Sequence, residues 1–174
     1  MKKEKLEKIL FDGSANAYAV LDGASIEKLR TQFYEMRPPH YCLFRGRLAA
    51  DMEEVAPYLV GLIRGTQFTE WLLSEKPGNH YGIFAKSRQS IIEMRRHFRG
   101  LLTVHDDDGK PMIFRFYDPR VLRSFLPTCK PGEIKALFGS VETLIAEDEK
   151  GENFAAFSHN KGSLVITEID GKGV

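Results

Sequence analysis

Apolar residues recur along this chain in two rhythms, and each rhythm predicts a different element. Short continuous runs bounded by turn formers predict strands at Tyr18–Leu21 (closed by Asp22-Gly23), Tyr41–Phe44, Leu59–Ile63 (entered through Pro57) and Tyr81–Ala85. Stripes at helical spacing alternate with them. Ile26, Leu29, Phe33 and Met36 form one stripe, stopped by Pro38-Pro39. Phe68, Trp71 and Leu72 mark a helix over Thr66–Ser74, broken by Pro77-Gly78. Ile91, Met94, Phe98, Leu101 and Leu102 mark another, with Ser87 or Ser90 as its cap. The opening residues through Leu10 read equally as a short polar helix or a tail.

The second half changes character. Asp108-Gly109 is a turn signal, after which Met112, Phe114 and Phe116 fall on one face of an extended chain, with Ile113, Arg115 and Tyr117 on the other. That strand is expected to stop at Asp118-Pro119. Asp118 is a good N-cap because its carboxylate accepts from the unpaired amides of a first turn, and Pro119 suits a position that needs no amide hydrogen. Pro127 is expected to end this helix by excluding Leu126 from helical geometry. Pro131 and Glu133 open a further helix reaching Phe138, with Gly139 at its end. Three closing strands, Val141–Ala146, Phe154–Phe157 and Leu164–Ile169, are joined by the turn signals Glu149-Lys-Gly-Glu and Asn160-Lys-Gly. The expected architecture is α/β to α+β. It is a single domain over residues 1–174, with a mixed sheet flanked by helices and a C-terminal antiparallel meander.

Composition narrows the function classes. With 43% apolar and 28% charged residues the chain is of ordinary globular type, and a net charge of +1 leaves any polyanion binding to a local patch. Cys42 and Cys129 form no CxxC pattern and read as buried thiols of a reducing compartment. The opening Met1–Lys8 mixes charges without an apolar run, and nothing approaches the roughly 20 apolar residues of a membrane span. A cytoplasmic location without membrane insertion is expected.

No candidate chemistry stands out. His105-Asp106-Asp107-Asp108 has metal-ligating residue types, but adjacent strand residues point apart and the cluster lacks calcium-loop spacing. It reads as a hairpin turn, and no metal or cofactor is expected. There is no GxSxG elbow, and Gly61-Leu-Ile-Arg-Gly65 lacks the lysine and spacing of a phosphate loop. A hydrolase built around Asp22, Asp118 and a histidine is the enzymatic alternative. Arg95-Arg-His-Phe-Arg99 raises nucleic-acid binding, but Phe98 belongs to the apolar stripe and reads as core. The densest positive charge, Arg115, Arg120 and Arg123, flanks the strand-to-helix junction. There Asp22, Asp118 and Pro119 read as structural, with the arginines either paired to acidic groups or exposed for docking.

The junction Phe114-Arg-Phe-Tyr-Asp-Pro-Arg-Val-Leu122 resembles the signature of the bacterial type VI secretion effector-adaptor family, also called effector chaperones and including VasW-like proteins. Tyr18–Ala24, Ala56–Val60, Arg95–Arg99 and Leu137–Gly139 agree in order, so the resemblance spans residues 17–146. It implies a non-catalytic cytoplasmic adaptor that binds a toxic effector and promotes its loading onto the spike protein VgrG or a PAAR-tipped spike. Members often continue into a C-terminal lobe, whereas the stretch after Ala146 here reads as strands completing a sheet. Arg115, Tyr117, Arg120 and Arg123 are the expected partner-binding residues, with Tyr58 and Trp71 beside them.

Overall fold

The computed structural model describes residues 2–75 and 77–169. Its centre is β1 (Asn16–Asp22), flanked by β3 (Pro57–Leu62) on one side and β4 (Gly82–Ser87) on the other. β2 (His40–Cys42) extends the sheet beyond β3. β7 (Val141–Glu147), β8 (Phe154–Asn160) and β9 (Ser163–Ile169) extend it beyond β4, giving a seven-stranded sheet in the order β2-β3-β1-β4-β7-β8-β9. The class is α+β, and the closing strands form the expected meander.

Both faces of this sheet are covered, which is why its central strands read as unbroken apolar runs. Tyr18 and Val20 face a core built on α5 (Ile91–Leu101), α6 (Pro119–Phe125) and α7 (Pro131–Phe138). Ala17, Ala19 and Leu21 face the opposite core, under α1 (Lys2–Leu10), α2 (Leu29–Met36) and α4 (Gln67–Glu75). The opening segment is therefore a docked helix, held by Leu6 and Leu10, both fully buried. α5 starts at Ser90 through a capping box, in which Ser90 and Glu93 satisfy each other's backbone amides.

Several expectations need correction. The sheet is not mixed: every pairing in it is antiparallel. β3-α4-β4 does return the chain in a parallel sense, as the strand-helix alternation implies, but β1 lies between the two strands and runs against both. The strand expected over Met112–Tyr117 is only β6 (Pro111–Ile113), paired with β5 (Thr103–His105) in a separate hairpin. Phe116 and Tyr117 are consecutive yet bury into the same core, which strand residues cannot do because neighbours point to opposite faces. α6 does end just before Pro127, at Phe125, but not by exclusion of Leu126 from helical geometry. Leu126 remains helical (φ −53°, ψ −45°) and the chain tightens into a 3-10 turn over Leu126–Thr128 that accommodates the proline near its start. One helix was not anticipated, α3 (Ala50–Val55), which buries none of its residues and so carries no apolar stripe.

Candidate functional site

The junction before α6 brings Asp22, Arg115, Tyr117, Asp118 and Arg120 together, and it joins them as internal pairs. Asp118 caps α6: its Oδ1 accepts from the Arg120 amide at 3.0 Å, and the Arg120 guanidinium bridges both oxygens at 3.0 and 2.8 Å. Burial alone would push the Asp118 carboxyl up. The bonds and charge of Arg120 outweigh it and hold the group below the usual carboxylate range. Asp22, at the end of β1, accepts from the Ala24 amide and the Ser25 hydroxyl, and from Arg115 Nη2 at 2.6 Å. The next residue must be glycine for a local reason. A Cβ at Gly23 would lie 2.5 Å from the Ala56 carbonyl oxygen, which accepts the Gly23 amide.

The six expected partner-binding residues separate on exposure. Tyr58 and Tyr117 are buried, which corrects their assignment as surface anchors. Tyr58 donates to the Glu53 carbonyl, and burial pushes its phenol up to about 12. The Tyr117 ring lies beneath the Arg115 guanidinium, 5.9 Å from its centroid, and burial pushes its phenol up as well. Trp71 is half-buried and packs on Phe68. Arg115 and Arg120 are solvent-facing but tied to Asp22 and Asp118. Arg123 lies against Phe157, 3.9 Å from the Glu168 carboxylate.

A second surface was only partly visible in the sequence. α5 presents Arg95, Arg96 and Arg99 beside Arg45 from the loop after β2, with exposed Ile92 among them, around a cleft of about 380 Å³. Arg45 and Arg99 also border an adjoining cleft of about 390 Å³, whose walls include Leu43, Leu48, Leu102 and Ile113. Arg99 is turned inward, donating to the Cys42 and Phe44 carbonyls at 2.9 and 3.0 Å. The Arg95 guanidinium covers the Tyr41 ring at 4.8 Å. The Arg95–Arg99 run was legible as a basic patch. Its apolar extension was not, because Leu43 with Leu48, Leu102, and Ile113 come from three separate segments.

Other candidates resolve simply. Asp106 accepts from the Asp108 and Lys110 amides and closes the β5-β6 turn, as its hairpin reading requires. Among the described residues no group of three or more His, Cys, Asp or Glu is placed to hold a metal ion. Cys42 and Cys129 are free and half-buried, and burial raises both thiols, leaving them protonated at neutral pH. Phe98 is core, stacked on Phe116 at 5.5 Å. Among the described residues no helix is long and apolar enough to cross a membrane.

An α+β domain with a doubly covered antiparallel sheet and a capped, arginine-flanked junction is the class defined by this geometry. The chain belongs to the family described as a domain of unknown function, DUF4123, whose model matches residues 17–136. That match takes in β1 from Ala17 onward, the arginines of and beside α5, and the whole junction. No curated protein and no solved structure matches the chain.

Proposed function

We propose that the protein is a non-catalytic adaptor that binds a type VI secretion effector in the cytoplasm of the producing cell. It would promote loading of that effector onto VgrG or a PAAR-tipped spike. The family description names no activity, so the reading rests on the ordered motif resemblance. One structural observation supports it over the hydrolase alternative. The buried carboxylates of Asp22 and Asp118 are engaged by arginines, a serine and backbone amides, with no histidine among their partners in the described residues. A general base must keep an oxygen free to reach a substrate proton, and here the same oxygens cap helical turns and bind guanidinium groups.

An adaptor must also release its cargo. That favours an interface of moderate size with a few arginine and apolar anchors. Affinity capture of the tagged protein from its native cytoplasm, followed by mass spectrometry, tests the proposal. Recovery of VgrG, a PAAR protein or a toxin is the expected result. Repeated absence of all three, with their expression verified, overturns it.

A further inference from the structure

The arginines around α5 differ from the ion-paired arginines elsewhere on the surface, and resemble exposed Arg37 and Arg47 in lacking an ion pair among the described residues. Arg30, Arg64 and Arg88 each hold a carboxylate of this chain. Among the described residues, Arg45, Arg95, Arg96 and Arg99 have no carboxylate within ion-pair distance. The Nε–H groups of Arg95 and Arg99 are also buried without an acceptor. Burial lowers the Arg99 guanidinium from its ordinary value, and the like charges of Arg95 and Arg45 lower it further. Four guanidinium groups held together without an ion pair among the described residues, Arg96 also lying close enough to help lower the Glu93 carboxyl, form a net-positive surface complementary to anionic groups.

The adjoining cleft selects among anionic partners. Ile113 is 68% exposed and Met52 44% exposed, above a floor that includes buried Leu43 and Leu102. Single-stranded nucleic acid is gripped by flat aromatic platforms beside basic groups. The Tyr41 face is already covered by Arg95, and Phe44 is the one aromatic side chain lining the two clefts. Aliphatic side chains beside arginines instead fit a protein segment with an apolar stripe and acidic flanks.

We propose that this groove, formed by the loop after β2, α5 and the β5-β6 hairpin, docks an acidic amphipathic segment of a partner protein. The assignment deepens the adaptor reading, on which it rests for the partner's origin, while its recognition chemistry can be tested separately. Arg45 and Arg96 would meet the acidic flank, and Ile113 and Met52 the apolar stripe.

The probes are two fluorescent peptides of about 18 residues and identical composition, rich in leucine and glutamate. One spaces its leucines for a helix and the other for a strand. Binding is measured for the full chain against lysine-for-glutamate controls and a single-stranded oligonucleotide of about 20 nucleotides. The proposal expects at least one acidic peptide to bind and both lysine controls to fail. Arg45→Glu with Arg96→Glu, or Ile113→Asp alone, weakens binding about tenfold in proteins that unfold at the wild-type temperature. Those residues make no side-chain hydrogen bond or ion pair among the described residues, so their replacement tests the surface rather than the fold.

Failure of both acidic peptides overturns the proposal. So does oligonucleotide binding that exceeds both peptides and ignores Ile113→Asp, because that result describes a polyanion surface. Undiminished capture of a secretion partner by the Arg45→Glu, Arg96→Glu protein removes the groove while leaving the adaptor function standing. Loss of that capture, with peptide binding weakened in parallel, supports both.

Discussion

The junction before α6 and the groove beside α5 carry similar densities of arginine, but the two clusters are wired differently. Arg115 and Arg120 reach back to Asp22 and Asp118, both nearly fully buried: Arg115 ties the end of β1 to the segment before α6, and Arg120 closes on the cap of its own helix. Arg45, Arg95, Arg96 and Arg99 form no ion pair with a carboxylate of their own chain among the described residues. A run of basic residues thus has two fates. Where a buried acid lies opposite, the charge holds the fold together. Where none does, the charge is left for something outside it.

The largest expected effect breaks the contact that joins the two regions. Phe98, on the groove helix, is 1% exposed and stacks on Phe116 of the junction. Phe98→Ala should cost about 3–5 kcal/mol in urea unfolding, through lost burial and the cavity left behind. A smaller effect follows from unpairing the junction. Arg115→Met leaves the Asp22 carboxylate buried with only the Ala24 and Ser25 donors, and should cost about 2 kcal/mol. Adding Asp22→Asn to that variant should recover part of the loss, since the isolated buried charge is removed. A full loss that persists in the double variant would assign the effect to packing.

Acid provides a gentler probe of the same pairs. The Asp118 carboxyl titrates lower in the folded protein than in the unfolded chain, where a value of about 3.9 is ordinary. Its contribution is therefore fully present above about pH 4 and is lost as pH falls through the lower folded value. Asp118→Asn should flatten this acid limb in melting curves recorded against pH, with a cap-level loss of about 1 kcal/mol or less at neutral pH. The smallest change is expected at the groove. Arg96→Glu, on an exposed side chain without an ion pair, should stay within about 0.5 kcal/mol of wild type in the same urea assay.

How much of this was readable from residue order depends on how local the cause is. The Asp118-Pro119 cap, the Ser90 start of α5 and the three-strand meander follow from neighbours within a few positions, and each lies where the pattern puts it. Insertion of β1 between β3 and β4 depends on pairings across dozens of residues, so alternating strands and helices misread the sheet as mixed. α3 had no stripe to reveal it because it buries nothing. The junction residues were legible as a cluster, but not the division between paired and buried members: Tyr117 turns inward beside Phe116 because the strand has already ended at Ile113. The groove's apolar half was hidden for the opposite reason. Ile113 belongs to an apolar run, and only its place on a small separate hairpin leaves it facing solvent.

A crossed charge reversal tests the contrast between the two clusters most directly. Arg120→Glu and Arg96→Glu are each measured for melting temperature and for binding of the better acidic peptide. Arg120→Glu should lower the melting temperature, because a carboxylate then faces Asp118, and should leave peptide binding within about twofold of wild type. Arg96→Glu should leave the melting temperature unchanged and weaken the peptide several-fold, to about tenfold. The reverse pattern, with stability lost at Arg96 and binding lost at Arg120, would contradict the account and move the docking surface to the junction.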